Sequence, residues 1–168
     1  MADRLAGKVA LVTGAGSRAA GVGNGKATSI LFAREGAKVV CVDHILDRAA
    51  ETVADIEKEG GTAVAVAADV TNRGDCEQMI GVAIEKYGRL DILHNNVGIG
   101  SRQGIREVTE DEWDRVMAVN LKSIIFSTQA AIGVQTCPGQ IVLTRIFFSP
   151  RSPARFMERP MMPALLVW

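Results

Sequence analysis

Lys8-Val-Ala-Leu-Val-Thr13 runs directly into Gly14-Ala-Gly16-Ser17-Arg-Ala-Ala-Gly21-Val-Gly23-Asn24-Gly25-Lys26-Ala27. A short apolar strand, a glycine-rich turn and the start of a helix follow one another here. A phosphate needs that context: backbone N–H groups at a helix N-terminus, with no side chains to keep it at a distance. A Walker A loop is the competing reading, and it fails. The glycine it requires five residues before Gly25 is Ala20, and Ala27 stands where Ser or Thr would follow Lys26. Glycines also make ordinary turns, so the cluster gains its meaning from what surrounds it.

Outward from that turn, strand-like and helix-like segments alternate. Lys26–Arg34 sets Ala27, Ile30, Leu31 and Ala33 near one helical face, and Gly36 stops it. Lys38–Val42 is β-branched and ends at Asp43. Leu46–Lys58 carries Ala50, Val53, Ala54 and Ile56 at helical spacing and closes at Gly60-Gly61. Thr62–Ala68 is a strand ending at Asp69, Asp75–Tyr87 a helix closed by Gly88, and Leu90–His94 a strand. Thr109-Glu-Asp-Glu112 opens a helix with a capping box, and the helix continues through Trp113, Val116, Met117 and Asn120 to about Ala131. Gln140–Thr144 reads as a fifth strand. This rhythm predicts an α/β fold: a Rossmann-like, doubly wound parallel sheet of order 3-2-1-4-5, incomplete at its C-terminal side. Its ligand crevice lies at the carboxyl ends of the strands, where the order reverses.

Composition bounds the function. Nineteen basic and nineteen acidic residues cancel, which argues against a general affinity for nucleic acid or anionic membrane. No secretory leader is evident, and no apolar run approaches the roughly 20 residues that span a bilayer. Cys41, Cys76 and Cys137 are odd in number and widely spaced. They read as reduced structural thiols, which places the chain in the cytoplasm and leaves no metal site.

Asp43 lies just under 20 residues beyond Gly23-Asn24-Gly25. A carboxylate there accepts hydrogen bonds from both ribose hydroxyls of an adenine nucleotide and repels a 2′-phosphate. No arginine or lysine stands beside it to pair a 2′-phosphate; its immediate neighbour is His44. Asp also serves as a helix N-cap, and the two roles are compatible. Asp69-Val70-Thr71 ends the third strand and Asn95-Asn96-Val97-Gly98 the fourth. His94 reads as structural, since no nucleophile or carboxylate motif adjoins it. Trp113 reads as core or interface.

Together these residues resemble the shorter members of the short-chain dehydrogenase/reductase family. The match runs over residues 5–132: Thr13-Gly14 with the glycine turn, Asp43, Asp69-Val70, Asn95-Asn96-Val97-Gly98 and Met117-Ala-Val-Asn120-Leu-Lys. The resemblance implies NAD as cofactor and hydride transfer between an alcohol and a ketone on a small-molecule substrate. It assigns cofactor contacts to Gly14, Ser17, Gly23, Asn24, Gly25, Asp43, Asp69, Val70, Asn96 and Gly98. It assigns Asn120 to a water-linked proton path. The loop is longer than the family's usual one, with Arg18–Val22 as an insertion over the pyrophosphate. Arg18 is a candidate phosphate contact, with a solvated loop residue as the plainer reading.

The second departure concerns catalysis. The family places a serine after the fifth strand and a Tyr-x-x-x-Lys pair on the next helix; the tyrosine is the general acid/base. This chain has Ile141-Val-Leu-Thr144-Arg145 there, and no Tyr or Lys follows Lys122. All five prolines lie beyond residue 137, and residues 145–168 hold four arginines and one acidic residue. The division expected is a dinucleotide-binding domain over 1–135, then an edge strand and an atypical tail over 136–168. Three accounts follow, in order of preference. The tail is the product of a frameshift, retained intron or wrong gene model; or the chain is an NAD-binding or partner-capping module without catalysis; or it is a reductase using Thr144 or Ser149. The expectation is a catalytically incompetent chain that has lost the family's homo-oligomer face.

Overall fold

The computed structural model describes residues 3–18, 21–133 and 142–144. Cys137, Ser149 and the tail over 145–168 lie outside them, as do the readings that rest on those residues. Strand β1 is Val9–Thr13, followed by α1 (Asn24–Arg34), β2 (Lys38–Asp43), α2 (Leu46–Lys58), β3 (Thr62–Ala67), α3 (Arg73–Tyr87) and β4 (Ile92–His94). Then come α4 (Glu110–Met117), a π-helical turn (Ala118–Lys122), α5 (Ser123–Gly133) and β5 (Val142–Thr144). The sheet order is β3-β2-β1-β4-β5, and every neighbouring pair is parallel. This is the doubly wound sheet the alternation predicts, with β1 and β4 flanking the reversal.

Helices on both faces make the central strands apolar along their whole length. All five β1 residues are buried, yet they alternate in what they touch. Val9 and Leu11 pack with Val40, Val42 and Leu93 into the layer that holds Met79 and Ile80 of α3 and Ala131 of α5. Ala10 and Val12 pack with Val39, Cys41, Ala49 and Ile56 on the α1–α2 side. Cys41 and Cys76 are buried, and burial pushes both thiols up to about 11. At the amino ends of the strands, Asp91 is buried and accepts from the Val9 N–H at 2.9 Å and from Arg89.

Three details depart from the sequence reading. Asn72 caps α3 by accepting from Gly74 N and Asp75 N, so the helix starts at Arg73 rather than Asp75. The helix opened by Thr109 is not uniform: a π turn centred on Asn120 interrupts it. Residues 110–133 also form a continuous rod of 24 residues, long and apolar enough to cross a membrane by length and composition. No apolar run of that kind is visible in sequence, because Glu110–Glu112 and Asp114-Arg115 open the rod. Here Ser123, Ser127 and Ala131 are buried, and the α5 end lies against α3 in the core layer.

Candidate functional site: a cleft at the sheet reversal

The carboxyl ends of β1, β2 and β4 open into a cleft of about 880 Å³. Its floor is the glycine turn. Gly14 has φ +64°, a left-handed conformation that other residues adopt at a cost. Gly25, in the first turn of α1, sits so close to this turn that a Cβ there would lie 2.0 Å from Gly14 O. The same Cβ would lie 2.6 Å from Asn96 Nδ2. Asn96 is the fastener: its Nδ2 donates to Thr13 O and Gly14 O, each at 3.1 Å, and its N–H donates to Thr13 Oγ1 at 3.1 Å. The side chain of Asn96 therefore joins the ends of β1 and β4, and its donor group is spent on structure.

The inserted stretch closes on itself: Gly23 N donates to Ser17 Oγ at 3.0 Å. Arg18 extends from it across the cleft, its Nη2 3.5 Å from Gly98 O. Gly23 is the N-cap of α1, in extended conformation, and no side chain caps the helix. No acidic residue stands in its first turn. That leaves the positive end of α1 facing the cleft without a built-in anion.

Asp43 is only 8% exposed. Its Oδ2 accepts from Gly16 N at 3.1 Å, and its Oδ1 accepts from Ile45 N at 3.1 Å, with His44 Nδ1 also 3.1 Å away. An ionised carboxylate offers about four acceptor sites, so capacity remains for further donors. Asp69 Oδ1 accepts from the N–H and the hydroxyl of Thr71 at 2.9 and 2.8 Å, and Val70 beside it is buried.

All ten residues assigned to the cofactor line this one cleft: Gly14, Ser17, Gly23, Asn24, Gly25, Asp43, Asp69, Val70, Asn96 and Gly98. Asn120 does not line it. Its Oδ1 accepts from Ile99 N and its Nδ2 donates to Ile99 O, both at 2.8 Å. In this structure it clamps the loop after β4 rather than presenting a group to the cleft. The π turn positions it, consistent with the way such turns gather at working sites.

Three arginines of the cleft escaped the sequence reading: Arg48, Arg102 and Arg115. Arg48 corrects the statement that no arginine stands by Asp43. It is five residues on, and the first turn of α2 brings it back. A Cβ on Gly16 would lie 2.4 Å from Arg48 Cβ and 2.8 Å from Asp43 Oδ2. Arg115 binds Glu112 through two contacts of 2.8 Å. This pairing, with the Arg102 N–H, holds the Glu112 carboxyl down to about 2.

His94 lies outside the cleft. Its ring meets Phe32 edge to face at 6.2 Å, its Nδ1 is buried without a hydrogen-bond partner among the described residues, and burial lowers its pKa. It is a neutral packing residue, as the sequence suggested. Trp113 is 57% exposed, which removes the core reading and leaves the interface one. Tyr87 packs on α3 against the core, beside Lys38 Nζ at 5.4 Å, away from the cleft.

A family model described as short chain dehydrogenase matches residues 8–145. The chain belongs to the short-chain dehydrogenase family. The match reaches beyond residue 132 into β5, further than the motifs alone carried it. Among relatives of this chain is a Mycobacterium tuberculosis protein named (5R,7aS)-5-hydroxy-7a-methyl-1-oxo-2,3,5,6,7,7a-hexahydro-1H-indene-carboxyl-CoA reductase. It is 41% identical over 129 residues, 76% of this chain and 48% of the relative. A 3-oxoacyl-[acyl-carrier-protein] reductase from Thermotoga maritima is 38% identical over 77% of this chain and 50% of its own. A solved structure of a short-chain dehydrogenase/reductase from Burkholderia xenovorans superposes with TM-score 0.74 at 37% identity, over 78% of this chain and 52% of that one. Another from Mycobacterium smegmatis gives 0.71 at 40% identity, over 77% and 52%. The chain spans about half the length of the curated relatives it matches.

Proposed function

We propose that the chain binds NAD(H) through residues 1–135, in a family whose chemistry is hydride transfer between an alcohol and a ketone. The observation that carries this is the uncapped N-terminus of α1 opening into the same cleft as the buried Asp43. The donors suit a pyrophosphate: backbone N–H groups over Gly23-Asn24-Gly25, with no acid in the way. The acceptor suits a ribose diol: a carboxylate with open lone pairs, already oriented by Gly16 N and Ile45 N. When bound, the dinucleotide supplies the hydride donor or acceptor. Asn96 and Asn120 hold the two walls, and Val70 offers an apolar surface at the adenine end.

The same reading makes this chain a binder rather than a catalyst. General acid–base catalysis contributes roughly 10²–10⁴-fold, and no tyrosine stands among the described residues that line the cleft. Tyr87 is the one tyrosine in the sequence, and it faces the core. The buried thiols fit a reducing compartment, the cytoplasm. Titrating the purified chain with NADH and NADPH by cofactor fluorescence tests the binding. Saturable NADH binding, tighter than NADPH, supports it; no binding of either ends it. Assaying NADH oxidation against a panel of carbonyl compounds tests the second half. A rate that depends on Thr144 or Ser149 would replace the binder with an unusual reductase.

A further inference from the structure

On the β4 side of the cleft, the loop after the strand is tied to the α4 rod along its length. Ile99 is clamped by Asn120. Arg115 Nη2 reaches Gly100 O at 3.4 Å. The Arg102 N–H donates to Glu112 Oε1 at 2.6 Å. Gln103 Oε1 accepts from Thr109 N at 2.8 Å. Against this fastening, the Arg102 guanidinium makes no hydrogen bond or ion pair with any described residue, yet it lines the cleft. Its backbone is fixed, and its charged end has no partner among the described residues.

The carboxylates of the cleft lie on one side. Asp43 ends β2 and Asp69 follows β3, on one side of β1 in the strand order, with Arg48 on the same wall as Asp43; Arg102 follows β4, on the other side. Arg115 is already paired with Glu112. The helix N-terminus and glycine turn provide for the pyrophosphate on their own. Arg102 is therefore a cation beyond what that ligand needs, held where the second reactant must enter. A guanidinium offers a planar fork of donors that matches a carboxylate or a phosphate.

We propose that Arg102 binds an oxyanion on the substrate, so that the cleft accepts carboxylate- or phosphate-bearing hydroxy and oxo compounds ahead of neutral ones. This rests on the dinucleotide reading above and adds the substrate class to it.

The test uses the full 168-residue chain saturated with NADH, titrated calorimetrically with acetoacetate, its methyl ester and inorganic phosphate. Acetoacetate should bind at least about tenfold tighter than the ester, the order expected for one charge-assisted contact near a surface. Arg102→Ala should abolish that preference and Arg102→Lys keep part of it. Arg106→Ala, an exposed arginine outside the cleft, should leave it unchanged. Phosphate that binds in an Arg102-dependent way, with or without acetoacetate, supports the proposal and marks which oxyanion is preferred. Equal binding of acid and ester without Arg102-dependent phosphate binding overturns it, as does binding of none of the three. So does Arg102→Ala weakening NADH or NADPH while sparing the anions, which would assign the residue to the cofactor. If NADH itself does not bind, the function proposed above fails. The same titrations on the chain alone then decide the role of Arg102 separately.

Discussion

At the scale of single residues, Asp43 and Arg48 oppose each other. Asp43 is buried, oriented by two N–H groups, and placed to accept from a ribose diol; Arg48 shares its wall of the cleft. A 2′-phosphate meets a carboxylate first and a guanidinium second. Asp43→Ala is therefore expected to do more than lower NADH affinity: it should raise NADPH affinity, because Arg48 remains. Asp43→Ala/Arg48→Ala should lose that gain. Paired NADH and NADPH titrations of the three chains check this, and an equal NADPH affinity in both variants would remove Arg48 from the account. Asp43 was legible from sequence because strand end and spacing define it. Arg48 was not, since it reaches the site only through a helical turn that folds back under Gly16. His94 gives a second prediction. Its Nδ1 is buried and unpartnered among the described residues, and burial lowers its pKa, so folding favours the neutral ring. The unfolded chain takes up the proton near the ordinary value of about 6.5. The stability contributed by keeping this ring neutral is thus present above about 6.5, and it is lost as pH falls from there toward the folded pKa. Urea titrations at a series of pH values between 7 and 5 should show stability declining, and His94→Leu should flatten that slope. An unchanged slope would mean that other groups set it.

At the scale of elements, the glycine turn and α1 act as one unit. Gly25 lies against the Gly14 carbonyl and the Asn96 amide, at separations where a Cβ has no room. Gly25→Ala must push α1 away from β1 or break the Asn96 bonds that join β1 to β4. The expected result is loss of dinucleotide binding together with destabilisation by about 1–3 kcal/mol, the range for overpacking a tight contact. Gly81→Ala, on α3 with open space around it, serves as the control and should be neutral or slightly stabilising. Thermal melts and NADH titrations of the two variants decide it; equal effects would show that the contact is not limiting. The existence and order of the elements could be read from sequence because strand and helix periods differ and Gly36, Gly60 and Gly88 punctuate them. Local chemistry moved their edges. The Asn72 side chain starts α3 two residues early, and α1 begins at Asn24 because an extended Gly23 suffices as its cap. The π turn at Ala118–Lys122 left no trace in the apolar pattern. It is set by the reciprocal bond between Asn120 and Ile99, a contact across the fold that periodicity does not encode.

At the scale of the molecule, the sheet is covered on both faces, but the α4–α5 rod leaves apolar surface outside. Trp113, Leu121, Ile125 and Ile132 are 57, 46, 49 and 57% exposed. Leu121, in the π turn, and Ile125 are one helical turn apart, and Ile132 follows two turns later, so these three share one stripe of the rod. The sequence foresaw apolar residues along this rod and assigned Trp113 to core or interface. It could not say which, because both give the same periodicity, and exposure separates them. Single exposed apolar residues are ordinary on protein surfaces, whereas a contiguous stripe marks an interaction surface or an aggregation hazard. The chain is therefore expected to self-associate through this stripe as its concentration rises. Sedimentation velocity over a concentration series should show the weight-average mass climbing above that of a 17.9 kDa chain. Ile125→Glu should hold it at the single-chain value. The substitution lies on the outer face of α5, away from the cleft, so the circular dichroism spectrum and NADH affinity should be unchanged, which separates loss of association from loss of fold. A wild-type chain that stays monomeric throughout, or an Ile125→Glu variant that associates as strongly, would move the contact elsewhere, with the edge strands β3 and β5 as the next surfaces to vary.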